Sequence, residues 1–261
     1  MLFIDTHAHL YASDFDADRS EMLERAFSAG VHKIYLPNIE ASTIDITLAL
    51  EAAYPEQCFA MMGLHPCSVK ADFEEELATV KAWLGRRPFV AIGEIGIDLY
   101  WDKTFFEEQR IAFRKQSEWA IALDRPIVVH ARESIDVLIE EVVAIRAALP
   151  DAEKHRYRGV FHCFTGSIEQ GEQIIAQGFM LGIGGVLTYP KAGMEAVVAA
   201  LPLEHIVLET DAPYLPPVPY RGKRNESSYV PIIAARLATA KGLPISEIAA
   251  VTTANAERLF K

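Results

Sequence analysis

The sequence predicts an α/β fold closed into a (β/α)8 TIM barrel, and three observations carry that expectation. Short apolar, β-branched runs alternate with longer helical patterns from end to end, eight of each. Several runs are apolar at nearly every position, as parallel strands covered on both faces are. Over 261 residues, no low-complexity linker, short-period repeat or like-charge block separates the units. Residues 1–261 therefore read as one barrel domain.

The strand candidates are Leu2–His7, Lys33–Pro37, Cys58–Leu64, Phe89–Glu94, Ile127–His130, Gly159–His162, Phe179–Ile183 and Ile206–Glu209. Helical periodicity covers Arg19–Ala29, Phe73–Leu84, Glu107–Leu123, Ser134–Ala148 and Ile168–Gln177 between them. One further helix spans Ser246–Leu259; Ser246 is its cap candidate, although Ala249 three positions on leaves no capping box. An open doubly wound sheet would favour a G-x-G-x-x-G turn after an early strand, and Phe3–Tyr11 has none.

Composition narrows the function classes. Apolar residues make up 51% of the chain, enough for a sizeable core. A net charge of -11 disfavours broad attachment to nucleic acid or anionic membrane, while leaving room for a local basic site. No segment reaches transmembrane length, and the start, Met1–Ile4 followed by Asp5 and His7, does not resemble a secretory signal. Cys58, Cys67 and Cys163 are odd in number and far apart, which points to a reducing compartment, the cytoplasm. No obligate protein partner is indicated.

The chemistry lies in the polar residues that close the apolar runs. The first run ends on His7 and His9, the third on Gly63-Leu64-His65-Pro66, and the fourth on Gly93-Glu94-Ile95-Gly96-Ile97-Asp98. The fifth gives His130-Ala131-Arg132, the sixth His162-Cys163-Phe164, and the eighth Glu209-Thr210-Asp211. A barrel gathers strand ends into one ring, so metal-binding residue types from distant pieces of sequence meet there. Strand side chains alternate with period two, which projects His7 and His9 to one side and Ala8 to the other. Imidazoles so paired can grip a divalent cation, and Glu94 and Asp211 add neutralising charge. Any one strand-end histidine is more simply a hydrogen-bonded rim residue. The whole set is better explained by metal, because each buried, uncompensated imidazole or carboxylate would be costly. His32 and His205 precede strands and His155 lies in a charged loop, so none of the three receives a catalytic role.

The segments FIDTHAHL, GLHP, GEIGID, VVHAR, FHCFTG, LETDAPYL and RGKRN, in that order, resemble the motif series of the TatD family of metal-dependent hydrolases, a branch of the amidohydrolase-like barrels. The match runs from Phe3 to the terminal Asn255-Ala256-Glu257-Arg258-Leu259-Phe260. The resemblance implies a divalent-metal-dependent deoxyribonuclease with DNA as substrate. It also implies that His7 and His9 are the first metal pair, Glu94 the carboxylate shared between two ions, and His130 and His162 the second pair. Asp211 then corresponds to the catalytic aspartate beside the first metal, and His65 and Arg132 to residues suited to substrate phosphate. One departure stands out: the family commonly has a proline after the segment matching Arg221–Glu226, whereas this chain reads Ser227-Ser228.

Two divalent ions can clamp the attacking and leaving oxygens of a phosphodiester displacement, with Asp211 as the expected base. The ligand set accepts zinc, manganese, nickel or magnesium. Glu209 is either an orienter of a ligand imidazole or a rim carboxylate in an ion pair. Arg221-Gly222-Lys223-Arg224-Asn225 is the dense basic patch at the expected mouth, and Tyr100, Trp101, Phe164, Tyr189 and Tyr214 fall in strand-end loops where bases could stack. The main alternative is an amidohydrolase or lactonase acting on a C–N or ester bond with the same barrel and metals. Many of those bridge their ions with a modified lysine, and no strand candidate here ends on Lys. A serine hydrolase is excluded by the missing Gly-x-Ser-x-Gly elbow; Ser167 reads as a helix cap and Cys163 as a small buried residue.

Overall fold

Eight strands run parallel in chain order: β1 (Phe3–Asp5), β2 (Val31–Leu36), β3 (Cys58–Ala60), β4 (Ile92–Asp98), β5 (Ile127–Arg132), β6 (Gly159–Phe161), β7 (Phe179–Ile183) and β8 (Ile206–Leu208). The computed structural model describes residues 1–261 and adds nine α-helices. They are α1 (Arg19–Ser28), α2 (Ile44–Ala53), α3 (Phe73–Leu84), α4 (Phe106–Leu123), α5 (Ile135–Ala148), α6 (Ile168–Ala176), α7 (Met194–Ala200), α8 (Val230–Lys241) and α9 (Ile245–Leu259).

Continuous ladders join β1 to β3 and β4 to β8. Two seams complete the circle through single bridges, Met62 with Ile92 and Ala8 with Ala212. Backbone bonds reinforce them: Gly93 N to Met62 O at 3.1 Å at one seam, Thr6 N to Leu208 O at 3.0 Å and His9 N to Ala212 O at 2.7 Å at the other. The barrel is closed, as the alternating pattern predicts. Its ladders thin out where Glu94 and the His7, His9, Asp211 group are carried.

Inward-facing Ile4, Tyr35, Met61, Val128, Val160, Met180 and Val207 form one buried cluster with Ala256, Leu259 and Phe260. The chain's last helical turn thus plugs the N-terminal end of the barrel, with the Phe260 ring stacked 4.2 Å from that of Tyr35. A larger buried cluster, including Phe3, Leu36, Phe113 and Leu237, lies between the strands and the surrounding helices.

α3 and β7 fall where the sequence places them. β4 does not: it begins at Ile92 and runs to Asp98, so Glu94 lies inside the strand. Gly96 resembles a strand breaker in sequence, yet here both Gly93 and Gly96 permit the close approach of β5. A Cβ on Gly96 would stand 2.0 Å from the His130 carbonyl oxygen, and one on Gly93 2.8 Å from Val128 Cβ. α9 starts at Ile245 behind Pro244, so Ser246 sits inside the first turn and caps nothing. Ser167 does cap α6, in a capping box with Gln170.

Candidate metal centre

His7 and His9 lie just beyond β1 with their Nε2 atoms 3.3 Å apart, while Ala8 faces the outer cluster, the alternation expected of a strand end. Asp211 follows β8, and its Oδ1 is 3.7 Å from His7 Nε2 and 3.5 Å from His9 Nε2. Glu94 Oε2 completes this group at 3.1 and 3.6 Å from the same two nitrogens. Four donors around one divalent ion at zinc-ligand distances would be separated by about 3.3–3.4 Å, so the observed spacing fits a cation.

The second oxygen of Glu94 faces a different set. Its Oε1 is 2.8 Å from His130 Nδ1 and 2.8 Å from His162 Nε2, and these two nitrogens are 3.4 Å apart. Glu94 is buried at the centre, one oxygen turned to each group. The rings of His7 and His162 stack at 3.9 Å, bringing the two groups side by side.

Hydrogen bonds fix which ring nitrogens are free. The Tyr11 hydroxyl donates to Pro37 O at 2.6 Å and lies 3.0 Å from His9 Nδ1. Its single proton being spent, His9 Nδ1 carries the hydrogen, which leaves a lone pair on Nε2 aimed into the site. His65 is the reverse case. Its Nδ1 accepts the Cys67 N–H at 3.0 Å, so neutral His65 is protonated on Nε2, the nitrogen 3.4 Å from Glu94 Oε1. His65 is close enough to Glu94 and His130 to count as a ligand by distance. Its tautomer makes it a hydrogen-bond donor instead.

Asp98, to which no role attaches in the sequence, holds the outer nitrogen of His130: Oδ2 to Nε2 is 2.9 Å. The spacing Glu94, Gly96, Asp98 was the available signal, since alternation puts Asp98 on the face of Glu94. Glu209 is wholly buried, accepts the Cys163 N–H at 2.5 Å and lies 3.5 Å from His162 Nδ1. It has no Lys or Arg partner, so the rim ion pair is ruled out. A Cβ on Gly182 would strike its Oε2 at 2.2 Å, which explains the glycine. Asp5, another residue not singled out by the sequence, accepts from Thr210 N at 2.9 Å and Thr210 Oγ1 at 2.6 Å. Asn225 then donates to Thr210 O and Tyr214 O. These bonds lock the backbone on both sides of Asp211, which occupies the left-handed region at φ 58°.

The electrostatics follow from crowding. Burial alone would raise Glu94, but His162, His65 and His7 hold it well below the usual carboxylate range. Burial likewise opposes ionisation of Asp211, and contact with His9 and the charges of His162 and His7 lower it nonetheless. Burial and the neighbouring His162 charge lower His7. Burial would also lower His130 and His162. The Asp98 and Glu94 carboxylates overcome it for His130, and Glu94 with Glu209 for His162. Burial pushes the Cys163 thiol well up, so Cys163 is no nucleophile. His7 Nδ1 and Glu209 Oε2 have no hydrogen-bond partner although buried, and His162 Nδ1 has only its 3.5 Å contact with Glu209 Oε1. The donor set and its spacing fit divalent cations.

Arg132 is not part of this ring. Its guanidinium lies over Tyr100, 3.9 Å from the ring centroid. The basic patch also divides: Arg224 is paired with Asp18 at 2.6 Å and Asn225 is buried, leaving Arg221 over the Tyr189 ring and Lys223 near Tyr220. Ser227 is buried in the 3-10 turn leading to α8, and the preceding Glu226 pairs with Arg25 at 2.7 Å. His205 and His155 stand in turns before β8 and β6, away from the mouth. His32 lies within the start of β2, not before it, and bonds Phe3 O.

A closed (β/α)8 barrel whose mouth holds imidazoles and carboxylates at cation-ligand spacing defines a metal-dependent hydrolase. The TatD related DNase family model matches residues 4–261, and the chain belongs to that family. It is 38% identical to the uncharacterized metal-dependent hydrolase YabD of Bacillus subtilis, over 100% of this chain and 99% of that protein. It is 31% identical to the 3'-5' ssDNA/RNA exonuclease TatD of Erwinia tasmaniensis, over 98% of each. The crystal structure of YjjV, a TatD homolog from Escherichia coli, superposes with a TM-score of 0.91 at 35% identity, covering 99% of this chain and 97% of that one. No helix is long and apolar enough to cross a membrane.

Proposed function

We infer that the protein, as one catalytic domain over residues 1–261, is a cytoplasmic deoxyribonuclease that hydrolyses phosphodiester bonds with two divalent ions. The observation that carries this reading is Glu94, one carboxylate with Oε2 on the His7, His9, Asp211 group and Oε1 on the His130, His162 group. His7, His9, Asp211 and Glu94 would hold one ion, and Glu94, His130 and His162 the other. Bound divalent ions supply positive charge at a phosphoryl oxygen and acidify water near neutral pH, with zinc, manganese, nickel and magnesium all compatible with the donors.

The chain's own groups do the rest. Asp211, held ionised by its histidine neighbours, orients the attacking water and accepts its proton. His65 donates from Nε2 to a non-bridging phosphate oxygen, the role its tautomer leaves it. Arg132, with no acidic partner, faces the same anion from the rim. Asp98 and Glu209 orient His130 and His162 from behind. The free state of all three cysteines supports the cytoplasm. The nuclease name of the Erwinia relative supports nucleic acid as substrate, and no obligate protein partner is proposed.

The test is hydrolysis of single-stranded DNA by metal-loaded protein beside a panel of amides and lactones. DNA cleavage that disappears in His130→Ala and Asp211→Asn is expected. Turnover of an amide or lactone with DNA untouched would replace this reading by the amidohydrolase or lactonase alternative.

A further inference from the structure

Three of the exposed large apolar side chains are aromatic, Tyr100, Trp101 and Tyr214, and all stand in the loops after β4 and β8 that rim the metal centre. Phe164 is buried and Tyr189 lies beneath Arg221, so neither offers a free face. Trp101 is 68% exposed, an unfavourable placement for an indole unless something covers it.

The Trp101 site is built. Asp98 Oδ1 accepts the Tyr100 N–H at 2.9 Å and the Trp101 N–H at 3.0 Å, while its Oδ2 holds His130. The Tyr100 and Trp101 rings meet edge to face at 4.9 Å. Arg132, which has no acidic partner, lies 3.9 Å from the Tyr100 centroid and 5.2 Å from that of Trp101. One buried carboxylate therefore ties the backbone of Tyr100 and Trp101, whose rings Arg132 lies against, to a histidine of the metal centre.

We propose that Trp101, backed by Tyr100 and Arg132, is a stacking subsite for one unpaired nucleobase beside the bond to be cut. The proposal rests on the phosphodiesterase reading and deepens it. A flat π face next to an uncompensated guanidinium suits a base attached to a phosphate, and it discriminates little between bases because every base has a π face. A base within a duplex keeps both faces covered by its neighbours. The subsite therefore selects single strands.

Binding of fluorescein-labelled hexathymidylate to the full-length protein in EDTA, read by anisotropy, separates binding from turnover. Trp101→Ala is expected to weaken binding about 5- to 150-fold, the loss of one stacked base. Trp101→Phe should restore most of it, and a strand of abasic residues should bind the wild type as weakly as hexathymidylate binds Trp101→Ala. Intrinsic fluorescence, quenched by hexathymidylate in the wild type, should lose that response in Trp101→Phe. Equal binding of abasic and natural strands, or of wild type and Trp101→Ala, would overturn the subsite. If metal-loaded protein still cleaved DNA in that case, the nuclease reading would stand without it; if DNA were neither bound nor cut, both would fall.

Discussion

At the N-terminal end of the barrel Tyr35 stacks on Phe260, and Leu259 and Ala256 fill the space around them. At the C-terminal end the same interior carries five buried or half-buried imidazoles, from His7 to His162, around Glu94 and Asp211. The first arrangement is held by apolar packing. The second leaves a buried nitrogen of His7 without a partner and places Asp211 in a left-handed backbone conformation. Stability and chemistry are thus assigned to opposite ends of one cylinder, which lets the mouth hold an arrangement that folding alone would not favour.

Substitutions at the two ends should separate these contributions. The largest effect is expected from Asp211→Asn, which removes the proposed proton acceptor: kcat on DNA should fall by about 10²- to 10⁴-fold while circular dichroism reports a folded barrel. Unfolding of this variant would mean that the mouth also holds the fold together. Phe260→Ala should give the converse, a loss of about 3 kcal/mol in denaturant unfolding with activity per folded molecule unchanged. Asp98→Asn keeps the size of the side chain that holds His130, and metal titration should show about 10- to 100-fold weaker binding, with little change in the unfolding midpoint. Full metal affinity in Asp98→Asn would confine Asp98 to shaping the loop. Arg224→Ala, which breaks the part-exposed pair with Asp18 on the outer rim of the mouth, should move the unfolding midpoint little and leave metal affinity alone.

Reading the sequence locates the clustered histidines well and the carboxylates behind them poorly. His7 and His9 are legible because local alternation alone puts them on one side. Asp98 and Glu209 are not, because their partners His130 and His162 belong to other strands and meet them only when the barrel closes. β4 is cut short at its C-terminal end for a related reason. Gly96 breaks a strand in isolation, whereas beside β5 its missing side chain admits the His130 carbonyl that any Cβ would repel. The basic run shows a further limit: Arg224 looks free in sequence, and Asp18, far away in the chain, takes up its charge.

The amino-acid order by itself determined the barrel, through repeated apolar runs and helical periodicity, and it determined which residue types stand at the strand ends, because periodicity and composition are local properties. Tertiary structure alone decided that Glu94 turns one oxygen to each histidine group, that Cys67 makes His65 a donor, and that the chain's last helix seals the far end. Those outcomes depend on distances between residues remote in sequence, or on a backbone turn formed only in the folded loop, and such distances exist only once the cylinder has closed.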